Sequence, residues 1–215
     1  MNKQSIFIVW IFSLVAFSNA IAGVYEEMVT AVNMKDTATV GQLLQRGMDV
    51  NTSDAMGNTL LMLAARNGDL QTLEILLRNR ASLLKINSYK DTAILLAALH
   101  GHLQCVVALV EAGAELDSEG WTPLIYSAFE GHVNVVRYLL MRGVNINAQS
   151  ETGISALMAA SRNNHVEIVK ILLEKKADLS LSNQLGQTAL SMAEAAGHSD
   201  IAKLLKNSRA RTLDL

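Results

Sequence analysis

Cysteine is all but missing from this chain. Cys105 is the one thiol in 215 residues, which excludes an internal disulfide and any zinc site built on cysteines. Proline also occurs once, and aromatic residues make up 5% of the sequence, a composition that favours helix over sheet. There is no basic run, and 18 Lys+Arg against 20 Asp+Glu leave a net charge of -2, so the chain lacks an electrostatic footprint for nucleic acid. G-x-S-x-G, H-E-x-x-H and phosphate-loop motifs are missing too, and with them the common signatures of catalysis. What is present is apolar. Half of the residues are hydrophobic, with Ala and Leu abundant, enough for a sizeable core in one large domain or two small ones.

Residues 1–22 differ from the rest. Lys3 is a short positive start, Ile6 to Phe17 is an apolar stretch with Ser13 as its one polar residue, and Ala20-Ile21-Ala22 precedes Gly23. Together these read as a secretory signal peptide cleaved between Ala22 and Gly23, with cleavage after Ala20 as the alternative. The competing reading is a retained membrane anchor, against which the apolar core is shorter than the ~20 residues of a span. Lipid attachment is excluded because Cys105 lies far from the apolar stretch. An exported domain without disulfides must be held by packing alone, which fits a bacterial periplasm.

The mature segment repeats itself. Thr59 is followed by Thr92, Thr122, Ser155 and Thr188, at intervals of 33, 30, 33 and 33. Ala64 is matched by Ala97, Ser127, Ala160 and Ala193, and Gly68 by Gly101, Gly131, Asn164 and Gly197. Within one unit, Thr59 is placed to cap a short apolar helix, and the small Ala64-Ala65 pair permits close packing of the next unit. Gly68 then ends the helix in a left-handed conformation, which its replacement Asn164 also tolerates. A second helix follows, with Leu70, Leu73, Leu76 and Leu77 at helical spacing.

These residues resemble the ankyrin repeat. Gly120-Trp121-Thr122-Pro123-Leu124, Gly131-His132-Val133-Asn134-Val135-Val136 and Gly143-Val144-Asn145-Ile146-Asn147 match the family's G-x-T-P-L, G-H-x-x-V-V and G-A-D-V-N. The expected fold is all-α: an ankyrin-repeat solenoid of helix–turn–helix units, about six repeats counting degenerate caps. The resemblance implies that its loops form short β-hairpin fingers. The repeats run approximately 23–53, 54–86, 87–116, 117–149, 150–182 and 183–211, with 212–215 as a C-terminal tail.

Two positions depart from the pattern. The third repeat is three residues short: Glu115-Leu116 runs directly into Asp117. Either its finger is shorter or its outer helix ends early. Lys90 stands where other fingers have Gly57, Gly120, Gly153 and Gly186; a positive φ there costs roughly 1 kcal/mol.

Four histidines, His102, His132, His165 and His198, suggest a metal site until the register is applied. Each occupies the same place in its own repeat, so neighbours lie ~8–10 Å apart, whereas zinc draws its ligands to ~2.1 Å. The resemblance implies that each hydrogen-bonds to backbone between units. Cys105 aligns with Thr72, Val135 and Ile168 on an apolar face and reads as core. No metal or cofactor is expected, and no enzyme activity. The other reading is a hydrolase with His100 and Glu130, or Asp91, as acid and base. It requires a closed pocket.

In ankyrin proteins partners lie along the concave surface, touching finger tips and the exposed ends of the first helices. Carried onto this register, that surface holds Tyr89, Asp91, Leu99, His100, Trp121, Phe129, Glu130 and Arg162. Aromatics inside a charged rim have the composition of an interface hot spot. The alternative is that Trp121 folds down to cover the shortened finger, with Phe129 packed against it. The expected function is a non-catalytic protein-interaction module in the periplasm, a regulator or chaperone of an exported enzyme or an immunity-type inhibitor, monomeric apart from its protein partner. It touches a membrane only as an anchored scaffold, if the signal is retained.

Overall fold

The computed structural model describes residues 23–117 and 119–213; the expected signal peptide lies outside them. Among the described residues the helices come in pairs. Residues 23–33 (α1) pair with Thr37–Gln45 (α2). Leu60–Asn67 (α3) pairs with Leu70–Arg78 (α4), and Ala93–Leu99 (α5) with Leu103–Glu111 (α6). Pro123–Glu130 (α7) pairs with Val133–Met141 (α8), and Ala156–Arg162 (α9) with Val166–Glu174 (α10). Ala189–Ala195 (α11) pairs with Ser199–Leu213 (α12), which runs two residues into the segment expected as a tail.

Helices of two turns are marginal in isolation, so each is fixed at its ends and clamped by its neighbours. Thr59, Thr122, Ser155 and Thr188 each accept the N–H three residues ahead at 3.3 Å. Thr92 in the third repeat makes no such bond. The odd-numbered helices stack in order, α3 on α5 on α7 on α9 on α11, and form the inner layer; the even-numbered helices form the outer one. An inner helix has neighbours on several sides, and its burial shows it: Leu60 to Ala65, Ala93 to Ala98 and Ala156 to Ser161 are buried without a break. An outer helix buries only a stripe, such as Val135, Val136 and Leu139 on α8, the spacing of a one-sided helix.

One expectation needs correcting. The fingers are not β-hairpins with strands: among the described residues the only pairing is at single bridges, Ser53 with Thr59 and Gln149 with Ser155. Three of the fingers are instead five-residue turns organised by their first side chain. Asp54 Oδ1 accepts the N–H groups of Met56 and Asn58, both at 2.9 Å. Asn87 Oδ1 does the same for Tyr89 and Asp91, and Asn183 Oδ1 for Leu185 and Gln187. A side-chain oxygen that collects these amides replaces the ladder a second strand would supply.

Candidate interaction surface

The finger row is built by contacts between successive turns. Ser88 N–H donates to the Met56 carbonyl at 3.0 Å and Asn87 Nδ2 to Asn58 Oδ1 at 2.8 Å, joining turn 54–58 to turn 87–91. Gln184 N–H donates to the Thr152 carbonyl at 3.0 Å, joining 150–154 to 183–187. Two pairs of turns are thus linked by backbone bonds, 54–58 with 87–91 and 150–154 with 183–187.

The structure decides how the third repeat loses its three residues. Its outer helix α6 has the same nine residues as α4, α8 and α10, so the helix does not end early. Asn51 Oδ1 accepts Ser82 N–H at 2.8 Å and Asn147 Oδ1 accepts Asp178 N–H at 2.9 Å, tying each loop to the next repeat. Asp117 fills that role, accepting Asn145 N–H at 3.0 and 3.1 Å. Asp117 thus stands in the Asn51 register, and the missing residues are those equivalent to Thr52-Ser53-Asp54, the entry to the finger.

The gap is spanned rather than closed. Lys90 Nζ lies 3.2 Å from Glu151 Oε1, linking turn 87–91 to turn 150–154 past the intervening one. Beneath it is a cavity of about 310 Å³ whose wall includes Leu84, Ile86, Tyr89 and Trp121. Trp121, without a finger residue to hold it, lies over α7: its ring is 4.8 Å from Tyr126 and meets Phe129 edge-on at 5.6 Å. Trp121 and Phe129 are half-buried on the core, which is the folded-down arrangement. Tyr89, by contrast, stays exposed, at 67%.

Asp91 is buried rather than part of an exposed rim. Its Oδ1 accepts the Tyr126 hydroxyl at 3.0 Å. Burial raises the Asp91 carboxyl above its ordinary value, against the Tyr126 and Asn87 hydrogen bonds. Burial, together with the Asp91 charge, likewise pushes the Tyr126 phenol well above its usual range. Tyr126 was not among the expected site residues. The signal was present: a hydroxyl stands at a register position that is Leu63, Leu96, Ala159 and Met192 elsewhere.

The C-terminal ends of the inner helices form the adjoining row. Leu99 is half-buried, while His100, Glu130 and Arg162 are exposed. The carbonyls of Leu99, Phe129 and Arg162 are occupied. Nε2 of His102, His132, His165 and His198 donates to the carbonyls of Arg66, Leu99, Phe129 and Arg162 at 3.0, 2.8, 2.9 and 3.0 Å. Each ring reaches back one repeat, as the resemblance implied, and the rings of His102, His132 and His165 lie where a side chain on Gly68, Gly101 and Gly131 would stand. A Cβ on Gly68 would sit 2.5 Å from His102 Nδ1, and one on Gly131 2.6 Å from His165 Cε1.

His100 stacks beside His102, with ring centroids 6.2 Å apart. Burial, then the positive partners His102 and Arg66, lower its pKa. Neither His100 nor Glu130 lines the cavity beside Trp121. Among the described residues no three His, Cys, Asp or Glu side chains are grouped to hold a metal ion, and no helix is long and apolar enough to cross a membrane. Cys105 is buried, and that burial, with the Asp69 charge second, pushes its thiol up to about 11, far from a reactive thiolate.

Family models described as ankyrin repeats match residues 28–77, 81–150 and 142–212. The chain is similar to protein phosphatase 1 regulatory subunit 27 of Homo sapiens, 34% identical over 114 residues, which is 51% of this chain and 74% of that protein. It is 36% identical over 130 residues to a transient receptor potential cation channel subfamily A member 1 homolog of Caenorhabditis elegans, covering 59% of this chain and 11% of the channel. It is 33% identical over 127 residues to the B-cell lymphoma 3 protein homolog of Mus musculus, covering 55% of this chain and 28% of that protein. The chain thus spans a small part of the two longer relatives. These relatives are eukaryotic and lend no support to a bacterial, exported origin.

Proposed function

We propose, from the premise that this chain belongs to the ankyrin-repeat family, that it is a non-catalytic interaction module binding a protein partner along its finger turns and inner-helix ends. The observation that carries this is the division of labour in the inner layer. The helices from Leu60 to Ala65, Ala93 to Ala98 and Ala156 to Ser161 are consumed by packing, while Tyr89 on its finger turn and His100, Glu130 and Arg162 at the inner-helix ends extend into solvent. A rigid stack with a mixed aromatic and charged edge presents a preformed docking surface. Leu99, Trp121 and Phe129 belong to the same surface as its apolar floor. Asp91 shapes it from below through Tyr126.

A photo-crosslinking residue placed at Tyr89 or His100 is expected to capture a partner in cells, and one at Glu74 or Lys170, exposed on outer helices, is not. Capture from the outer helices alone overturns the reading. Export is part of the same proposal: Lys3, the apolar run Ile6 to Phe17 and Ala20-Ile21-Ala22 support delivery to a periplasm with Gly23 as the mature N-terminus. The mass of the protein recovered from its producing cell checks this. A chain still carrying residues 1–22 favours the anchored scaffold. A partner that is an exported enzyme fits a regulator or chaperone; a partner that is a toxin fits an immunity protein.

A further inference from the structure

The three-residue gap coincides with a change in chemistry. The residues equivalent to Leu84 and Ile86 are Asn51 and Ser53, Asn147 and Gln149, and Ser180 and Ser182 in other repeats. Only beside the gap are they apolar, and there they are 77% and 58% exposed, next to Tyr89 at 67%. Exposed side chains of that size side by side mark a docking site rather than ordinary surface. The missing finger entry is what would have covered them. The opening is also acidic. Glu115, Glu119 and Glu151 stand on its rim, and Lys90 is the one basic residue among those lining it. Lys90 is already committed to Glu151, in a pair whose side chains are 75% and 69% exposed; such pairs are worth little and exchange readily.

We propose that this notch receives an extended segment of a protein partner carrying one bulky apolar side chain flanked by lysines or arginines. The apolar side chain enters between Tyr89 and Trp121, over Leu84 and Ile86. The flanking cations meet Glu115 and Glu119, and one displaces Lys90 from Glu151. At about 310 Å³ the notch is at the small end of ligand sites, suited to a side chain and not to a folded domain. The inference rests on the protein-binding reading above and adds to it a place and a partner chemistry.

The test uses the full chain with Trp10→Phe, which leaves Trp121 as the reporter of the notch. Three labelled peptides are titrated: Lys-Lys-Phe-Lys-Lys, the same peptide with Ser for Phe, and Glu-Glu-Phe-Glu-Glu. The first is expected to bind saturably, with a change in Trp121 emission, and the other two at least about tenfold more weakly. Leu84→Ser with Ile86→Ser, and separately Glu115→Gln with Glu119→Gln, are expected to weaken the first peptide at least about fivefold at unchanged melting temperature. Inserting Thr-Ser-Asp after Asp117 restores the finger length and is expected to abolish binding. Should that insertion fail to fold, the two exposed pairs decide alone. Equal binding of the Ser peptide, no binding of the Phe peptide at millimolar concentration, or indifference to both pairs overturns the proposal. So does a dimer of the full chain that Leu84→Ser with Ile86→Ser disperses, since a second copy would then be the occupant. Peptide failure alongside crosslinks from His100 removes the notch and leaves the interaction reading standing; absent crosslinks with peptide binding do the reverse.

Discussion

Single residues carry most of the departures from an idealised repeat. Lys90 adopts φ 66° where the sequence register expected glycine-like backbone. Lys90→Gly removes roughly 1 kcal/mol of backbone strain and gives up an exposed ion pair worth less than about that. A higher melting temperature is expected in calorimetry, and an unchanged or lower one contradicts this account of the turn. Ser161 stands where α3, α5 and α7 have Ala65, Ala98 and Ala128, and its hydroxyl is buried with no hydrogen-bond partner among the described residues. Ser161→Ala is expected to stabilise the fold by about 1 kcal/mol, since it removes an unsatisfied group without opening space; chemical denaturation measures it. Asp91 gives a pH signature. Its folded pKa lies above the ordinary 3.8, so its protonated form adds stability that is full below 3.8 and is lost as pH rises through the folded value. Asp91→Asn keeps an acceptor for the Tyr126 hydroxyl and has no proton to lose. The variant should melt above the parent at pH 7, and the difference should vanish below pH 3.8.

At the scale of elements, the helices were legible in the sequence and the fingers were not. Thr59, Thr122, Ser155 and Thr188 mark helix starts because a cap is a local device. The glycines that follow mark helix ends for the same reason. The resemblance implied hairpin fingers, but Asp54, Asn87 and Asn183 capture the turn amides, and strand pairing among the described residues stops at single bridges. The three-residue deletion was visible, but its location was not; that needed the bond from Asn145 N–H to Asp117. At three joints between repeats a histidine ring is laid on the preceding glycine. Gly101 has φ 72°, and the ring of His132 occupies the space its side chain would need. Gly101→Ala should therefore strain the backbone and displace His132 from the Leu99 carbonyl. A loss of at least about 2 kcal/mol is expected by denaturant unfolding, and a loss below ~0.5 kcal/mol would mean the joint is plastic.

For the whole molecule, length and composition permitted a large core, and the 33-residue period located it. The surface was legible only in part. Tyr89, His100, Glu130 and Arg162 stand exposed where the register put them, while Trp121 and Phe129 lie half-buried and Asp91 is covered. The lowered Trp121 goes with the three residues missing from its own finger, and the open notch lies beside the same gap. Stability in such a stack comes from nearest-neighbour interfaces, so a partner that docks along the edge should stiffen the turns it touches and leave the outer helices unchanged. The direct measurement is hydrogen–deuterium exchange of the protein alone and with the partner captured by crosslinking at His100. The expected result is protection confined to the turns at 87–91, 117–121 and 150–154 and to the ends of α5, α7 and α9. Protection confined to α4, α6, α8 and α10 would contradict it and move the interface to the opposite face.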